Sequence, residues 1–407
     1  MNILHVIPRY PPAIGGAEHW CQGVARWQAA HDHQVDVLTL RAVTDDDLWA
    51  EPGQMEGPLA VGTHDCDQGV RVRRCTLGGR AGPGISSVFG VVGALALTRA
   101  HSAELYGRLV TAARKADIVH VHSVPGPHVY AAWLAARARR RPIVLTPYFH
   151  AGEPWFEHPT VRWILRRVDA LFSLSRAEAV ALAANGATAE RIVDASNAID
   201  WPPAPDPSPA RERIRTALRV PSGSPLLLFV GRKAASKNVD LILRALPLVR
   251  HRPRAVLALV GPATAWYQTL GDLTRNDGVR DLPLLSPAAK AELLAAADLL
   301  VLPSKAESFG TVFLEAWSRG TAVIGAEIPA VREVIGDAGL TFRPDDAVDL
   351  AARIDELLAV AEAASAMVER GRQRIAARHT WTQVGEAVMR GYDLVGGCGT
   401  RRRTEER

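Results

Sequence analysis

Short β-branched apolar runs alternate with helical patterns along the first half of this chain. The runs Ile3–Ile7, Val35–Leu40, Val70–Arg73, Ile118–Val121, Ile143–Thr146 and Leu171–Leu174 read as strands. Helical stretches lie between several of them, notably Ala17–Ala30, Val129–Arg139 and Ala177–Asn185. Strands that alternate with helices predict a parallel sheet covered on both faces. The pattern stops at WPPAPDPSPA, Trp201–Ala210, where five prolines in ten residues cannot continue a helix or a central strand. A second alternation follows, with Leu226–Val230, Ala255–Val260, Leu299–Leu302, Thr321–Ile324 and Leu340–Phe342 as strands. Its helical stretches are Val239–Arg250, Ala288–Ala297, Thr311–Arg319 and Val348–Leu358. The expected architecture is therefore α/β, with two doubly wound, Rossmann-like domains over residues 1–200 and 211–380 and a Pro-rich linker, 201–210, between them. Residues 381–395 form a separate helical pattern, and the tail 396–407, ending RRRTEER, is expected to be disordered.

Length agrees with two cores, since 407 residues exceed what one usually holds. Hydrophobic residues at 48% and charged residues at 22% place the chain among ordinary soluble proteins. A net charge of +5 is too modest to argue for nucleic acid. It suits an anionic ligand or an anionic membrane surface. The four cysteines, Cys21, Cys66, Cys75 and Cys398, have no metal-site spacing, so a reduced, cytoplasmic protein is the simplest reading. The apolar run Ile3–Ile7 is too short for a signal peptide and stops at Pro8–Arg9. Val88–Leu97, VFGVVGALAL, falls well short of the roughly 20 residues a spanning helix requires. A buried or half-buried helix is the favoured reading there. The less favoured one is a membrane-dipping element, with peripheral contact at the inner face of the membrane. Glycines and prolines thicken from Asp45 to Gly84 and predict a loop-rich tract.

Candidate chemistry concentrates in PSKAESFGTVFLEAWSRG, Pro303–Gly320. A strand, a tight loop and a helix start present backbone N–H groups to an anion. Glu307 and Glu315 flank that cradle, with Phe309 and Gly310 between them. Carboxylates on both sides of an anion cradle suggest a ligand with phosphates in the middle and hydroxyls at its ends, which is the shape of a nucleotide sugar. The plain alternative is a solvated loop before an exposed helix. A second cluster, GRKAASKN after the Leu226–Val230 run, carries Arg232 and Lys237. Near a helix start the helix dipole disfavours idle cations, so their presence points to an anionic ligand. Gly15 and Gly16 in PPAIGGAEHW permit close backbone approach, although neither a P-loop nor a dinucleotide fingerprint is present. His122 in DIVHVHS and His150 in TPYFHAGE follow predicted strands. In doubly wound sheets ligands bind beyond the carboxyl ends of strands, so these loops are expected to line one cleft.

The spacing of Glu307 and Glu315 around Phe309–Gly310 resembles the E-x7-E signature of retaining glycosyltransferases of the GT-B fold, family 4. The resemblance covers nearly the whole chain, most strongly Leu226–Leu358 and least in Asp45–Ala100. It implies two Rossmann-like domains facing an interdomain cleft, with the last helix, 381–395, crossing back to the first domain. It also implies roles. Arg232 and Lys237 would grip the donor diphosphate together with Gly15, Gly16, Phe309 and Gly310. Glu315 would bind the nucleotide ribose, and Glu307 and His150 would be catalytic. Apart from the resemblance, His120 and His122 in DIVHVHS are expected to split, the first buried and the second near the cleft as a candidate for the acceptor side. Asn197 in NAID matches a family motif and is expected to be structural or at the hinge. Two departures stand out: Asn238 replaces the glycine usual after the lysine, and Tyr148–Phe149 precede His150 unusually. Asparagine tolerates the left-handed backbone region, so the first is mild.

The implied activity is retaining, metal-independent transfer of a sugar from a nucleotide diphosphate donor to a hydroxyl of a glycan, glycolipid or secondary-metabolite acceptor. No cofactor or metal is expected, the nucleotide sugar being a co-substrate, and no nucleic acid is expected as a partner. Asp45–Asp47 is an acidic run without partner ligands. The rivals are a sugar-nucleotide epimerase or phosphorylase on the same scaffold, and a non-catalytic nucleotide-sugar-binding subunit. Ser86–Ser87 and Ser175 lack a G-x-S-x-G context, which gives no support to a hydrolase. Trp20 and Trp27, seven apart on one helix face, are expected in the core.

Overall fold

The computed structural model describes residues 1–43, 62–77, 102–201, 208–251 and 253–404. The expectations for Asp45–Asp47, Ser86–Ser87, Val88–Leu97 and the centre of the Pro-rich segment fall outside the described residues. Among those described, the strands form two sheets. The first has eight strands in the order β3-β4-β2-β1-β5-β6-β7-β8. These are β1 (Asn2–Val6), β2 (Gln34–Leu40), β3 (His64–Asp67), β4 (Val70–Cys75), β5 (Ile118–His122), β6 (Ile143–Thr146), β7 (Ala170–Ser173) and β8 (Ile192–Asp194). The second has six, in the order β11-β10-β9-β12-β13-β14. They are β9 (Leu226–Val230), β10 (Val256–Val260), β11 (Val279–Leu282), β12 (Leu299–Leu302), β13 (Ala322–Ala326) and β14 (Leu340–Phe342). Every pairing is parallel except β3 with β4. Helices connect the parallel strands, which makes both sheets doubly wound and Rossmann-like.

The central strands are buried on both faces, as β5, β10, β12 and β13 show at every position. β10, β12 and β13 read as unbroken apolar runs, and β5 as one interrupted by two buried histidines, which is why the pattern located them. Strands at the sheet edges did not announce themselves. β3 is the polar run HDCD and largely exposed, and β8 and β11 are half-exposed. β3 returns to β4 through Gln68 and Gly69, both at positive φ (50° and 89°), the conformation that joins a two-residue hairpin.

Several expectations need correction. The helix expected over Val239–Arg250 ends at Ala245 and passes into a 3-10 turn, Leu246–Leu248, because Pro247 has no N–H to continue it. A helix over Ser208–Ala217 begins inside the expected linker; Pro209 falls in its first turn, where a missing N–H costs nothing. The final helix spans Trp381–Thr404, past Val395 and through much of the tail expected to lack structure. Helices over Ala103–Lys115, Pro159–Leu165, Pro329–Ile335 and Ala361–Arg378 lie outside the elements that the pattern predicts.

The chain divides into two compact units, one of Met1–Asn197 with Trp381–Arg407 and the other of Ala198–Thr380. Asn197, the last residue before the first crossing, is buried. Both crossings are tied on the second unit's side, where Ile199 bridges Thr380 and its N–H reaches the His379 carbonyl at 3.2 Å. In the first unit the final helix packs on α1 (Gly16–Ala30) through reciprocal glycine–tryptophan contacts. Trp381 lies on Gly23 and Trp27 on Gly385, so close that a Cβ at either glycine would come within 2.2 Å of the indole. Trp20 is fully buried as expected, whereas Trp27 is half-buried and stacks on His31 at 3.9 Å. In the second unit Trp317 seats against Gly371 and donates its indole N–H to the Ala338 carbonyl at 3.0 Å.

Candidate functional site

In the second unit the loops after β9 and β12 meet. The Lys305 N–H donates to the Ser236 carbonyl at 2.9 Å, which fixes one loop on the other. Lys237 ends a 3-10 turn, Ala235–Lys237, and Asn238 follows in the left-handed region at φ 55°, ψ 38°. Its side-chain amide donates to Asp345 at 2.9 Å. Asparagine thus supplies the backbone geometry a glycine would give, with an added anchor. Lys237 Nζ donates to Glu307 Oε1 at 2.5 Å, and both side chains are largely buried. Arg232, on the same loop, is exposed.

Gly310 opens the Thr311–Ser318 helix in the left-handed region at φ 90°, ψ 59°, and no side chain caps that helix start. A Cβ at Gly310 would lie 2.8 Å from the Phe313 ring, so conformation and space both require glycine. Phe309 is 2% exposed, with its ring edge-on to His379 at 5.4 Å. Its side chain packs inward. Glu315 accepts from Lys290 Nζ at 2.7 Å, and both are partly exposed.

In the first unit α1 begins at Gly15–Gly16. A Cβ at Gly15 would fall 2.1 Å from a carboxylate oxygen of Glu18, and Glu18 is held by Arg9 at 2.7 Å in a mostly buried pair. The loop after β6 lies alongside. Tyr148, at φ 51°, donates its hydroxyl to the Ala17 carbonyl at 3.3 Å. The Phe149 N–H and the Leu174 N–H donate to the two oxygens of Glu178, at 2.5 and 2.7 Å. Burial pushes the Glu178 carboxyl up to about 8, against the pull of those two amides. Tyr148 and Phe149 are both buried. The unusual pair is therefore a buried anchor for the loop, and it leaves His150 half-exposed and stacked on Phe156 at 5.0 Å.

His122 does not stand where an acceptor could reach it. It is 0% exposed, as are His5 and His120. The three nitrogen ligand atoms lie within 4.8 Å of one another, a spacing that could hold a metal ion. Hydrogen bonds already engage them. His5 Nε2 donates to the Gln28 carbonyl oxygen at 2.8 Å, so its Nδ1 accepts from His122 Nε2 at 2.8 Å. The Gln28 amide donates to Tyr392 at 3.3 Å, Tyr392 donates to His120 Nδ1 at 2.7 Å, and His120 Nε2 donates to Thr146 at 2.7 Å. One proton per imidazole satisfies the whole chain. Burial accordingly lowers His5 to about 4 and holds His120 and His122 well below their usual range. This is a neutral polar core, and His122 belongs to it.

Lys233, Asp281 and Lys290 also carry charge here without a local signal in the sequence. Lys233 is 2% exposed and bonds Asp281 and the Leu282 carbonyl. A lysine followed by two alanines gives no sign of burial, and its partner lies 48 residues away.

The profile of the family described as "Glycosyl transferases group 1" matches residues 210–374, and that of "Glycosyl transferase 4-like domain" matches residues 15–198. The chain is 31% identical over 304 residues to the D-inositol 3-phosphate glycosyltransferase of Xylanimonas cellulosilytica, covering 68% of this chain and 71% of that protein. It is 29% identical over 301 residues to the phosphatidyl-myo-inositol mannosyltransferase of Mycolicibacterium smegmatis, covering 70% and 73%. Among solved structures, the fold is similar to that of the Anabaena protein HepE in complex with UDP-glucose. The TM-score is 0.73 at 18% identity, covering 97% of this chain and 99% of that one. The two doubly wound sheets, the two family profiles and the identity to the Xylanimonas enzyme agree: the chain belongs to the GT-B glycosyltransferases of family 4.

Proposed function

We propose that this glycosyltransferase takes its sugar from a nucleotide diphosphate donor and transfers it, with retention of anomeric configuration, to a hydroxyl acceptor. The observation that carries the reading is the contact of Lys237 with Glu307 beside an uncapped helix start. It sets a cation, a carboxylate and backbone N–H groups within one pair of loops. Arg232, Lys237 and the Gly310–Thr311 amides would bind the diphosphate, whose negative charge grows as it departs. Glu307 would hold hydroxyls of the transferred sugar, and Glu315, oriented by Lys290, would accept from the ribose. His150 is assigned to positioning the sugar. The proteins of known structure with UDP-glucose bound support a nucleotide-sugar donor. The similarity to a D-inositol 3-phosphate glycosyltransferase and a phosphatidyl-myo-inositol mannosyltransferase supports a polyol or lipid-linked hydroxyl as acceptor.

The chemistry is a front-face substitution. The bond between the anomeric carbon and the phosphate oxygen breaks, and the acceptor oxygen bonds to that carbon from the same side. The acceptor proton passes to the leaving phosphate oxygen. Charge neutralisation by Arg232 and Lys237 takes the part a divalent ion plays elsewhere. The test is release of nucleoside diphosphate from nucleotide sugars with and without an inositol phosphate, before and after chelation. Acceptor-dependent release that survives chelation is expected. Turnover of the donor without any acceptor would favour an epimerase, and a strict need for manganese or magnesium would contradict the metal-independent mechanism.

A further inference from the structure

A cavity of about 450 Å³ lies within the second unit where β9, β10 and β11 end. It starts at Lys233, the residue after Arg232. The loop there is locked to the next one, with the Lys233 N–H on the Pro262 carbonyl at 2.9 Å and the Thr264 hydroxyl on the Lys233 carbonyl at 2.7 Å. The walls are apolar, from Pro262, Ala263, Pro283 and Leu284, and the charged side chains lining it are Lys233 and Asp281. These two are not equivalent. The Lys233 side chain is 3% exposed, and its ammonium is committed to Asp281 Oδ1, to the Leu282 carbonyl at 2.8 Å and to the face of Tyr267 at 5.2 Å. Asp281 is 46% exposed. The lysine therefore acts as a buried clamp that fixes a carboxylate at the cavity, and that carboxylate keeps most of its acceptor capacity.

An apolar slot next to a diphosphate-binding cation, beyond the carboxyl ends of parallel strands, suits the base of a nucleotide. The carboxylate then discriminates among bases by their edges. Uracil offers one N–H between two carbonyl oxygens, which a carboxylate repels. Adenine and cytosine each offer one amino group beside a ring nitrogen that is itself an acceptor. Guanine alone offers two adjacent donors, N1–H and the 2-amino group, and these match both oxygens of a carboxylate. We propose that the donor is a guanosine diphosphate sugar and that Asp281, clamped by Lys233, is the residue that selects guanine. The inference rests on the nucleotide-donor reading above and adds the identity of the base.

Calorimetric titration of the full chain with GDP, UDP, ADP and inosine diphosphate tests it. Inosine diphosphate keeps N1–H and lacks the 2-amino group. GDP should bind about 10–100-fold tighter than UDP or ADP, and about 10-fold tighter than inosine diphosphate. In Asp281→Asn the preference for GDP should collapse, while xanthosine diphosphate, whose 2-carbonyl can accept from an amide, should gain. UDP or ADP binding as tightly as GDP, or inosine diphosphate matching GDP, overturns the assignment of the base and leaves the nucleotide-donor reading standing. Failure of every nucleoside diphosphate to bind at millimolar concentration overturns both. A melting curve of the variant without nucleotide checks that it folds. Should it not, the comparison of GDP with inosine diphosphate on the unaltered protein decides.

Discussion

Lys237 Nζ and Glu307 Oε1 lie 2.5 Å apart and join the loop after β9 to the loop after β12. Residues 70 apart in sequence thus form one unit, so changes at either should be felt at the other. Arg232→Ala and Lys237→Ala should each weaken nucleoside diphosphate binding about 10–100-fold, the worth of a charge-assisted hydrogen bond. The pair Lys237→Ala/Glu307→Gln should be non-additive, because each single change already removes the contact between them. Calorimetry on Arg232→Ala, Lys237→Ala, Glu307→Gln and the double variant checks this. Unchanged binding in both single cation variants would remove them from the site.

Glu315 and Lys290 form a second unit, at 2.7 Å. The task proposed for Glu315 is binding, remote from the reacting carbon. Glu315→Gln should therefore raise the donor KM more than it lowers kcat. Lys290→Met should do the same more weakly, by releasing the carboxylate. Since both partners are partly exposed, neither change should cost more than about 1 kcal/mol of stability. A large loss of kcat at normal donor affinity would count against the assignment.

The division between what the pattern revealed and what it hid follows from sequence distance. Glu307, Phe309, Gly310 and Glu315 lie within one strand–loop–helix segment, so their spacing was visible along the chain. The central strands were visible because burial on both faces leaves them mostly apolar. Contacts that close over long separations left no local trace: Lys233 with Asp281, Lys290 with Glu315, and His5 with His122, which are 117 residues apart. His122 misled for the same reason. A histidine that ends a strand looks the same in sequence whether it faces solvent or another imidazole.

That buried cluster has a consequence for stability. Burial lowers His5 to about 4 and holds His120 and His122 well below the ordinary value, and it lowers to about 4 a fourth buried histidine, His128, whose Nε2 donates to the His122 carbonyl at 2.8 Å. In the unfolded chain these groups take up protons near pH 6.5, while the folded chain resists until much lower. Their stabilising effect is complete above pH 6.5 and is lost as pH falls from there toward 4, by roughly a few kcal/mol in all. Glu178, raised by burial to about 8, works in the opposite direction, but one carboxyl is set against four histidines. Denaturant midpoints should fall between pH 7 and pH 4.5. A His5→Gln/His120→Gln variant, if it folds, should flatten that dependence. A midpoint constant across this range contradicts the neutral cluster.

The most direct test of the central claim is the anomeric configuration of the product. In the proposed mechanism the departing diphosphate would meet Arg232, Lys237 and a helix start of the second unit, and Glu307 is engaged with Lys237. It is therefore poorly placed to deprotonate an acceptor from the opposite face. Proton NMR of the glycoside formed from an α-linked donor should show the small anomeric coupling of an α-linkage for a gluco-configured sugar. A β-linked product would contradict the front-face mechanism and the roles given to Lys237 and Glu307.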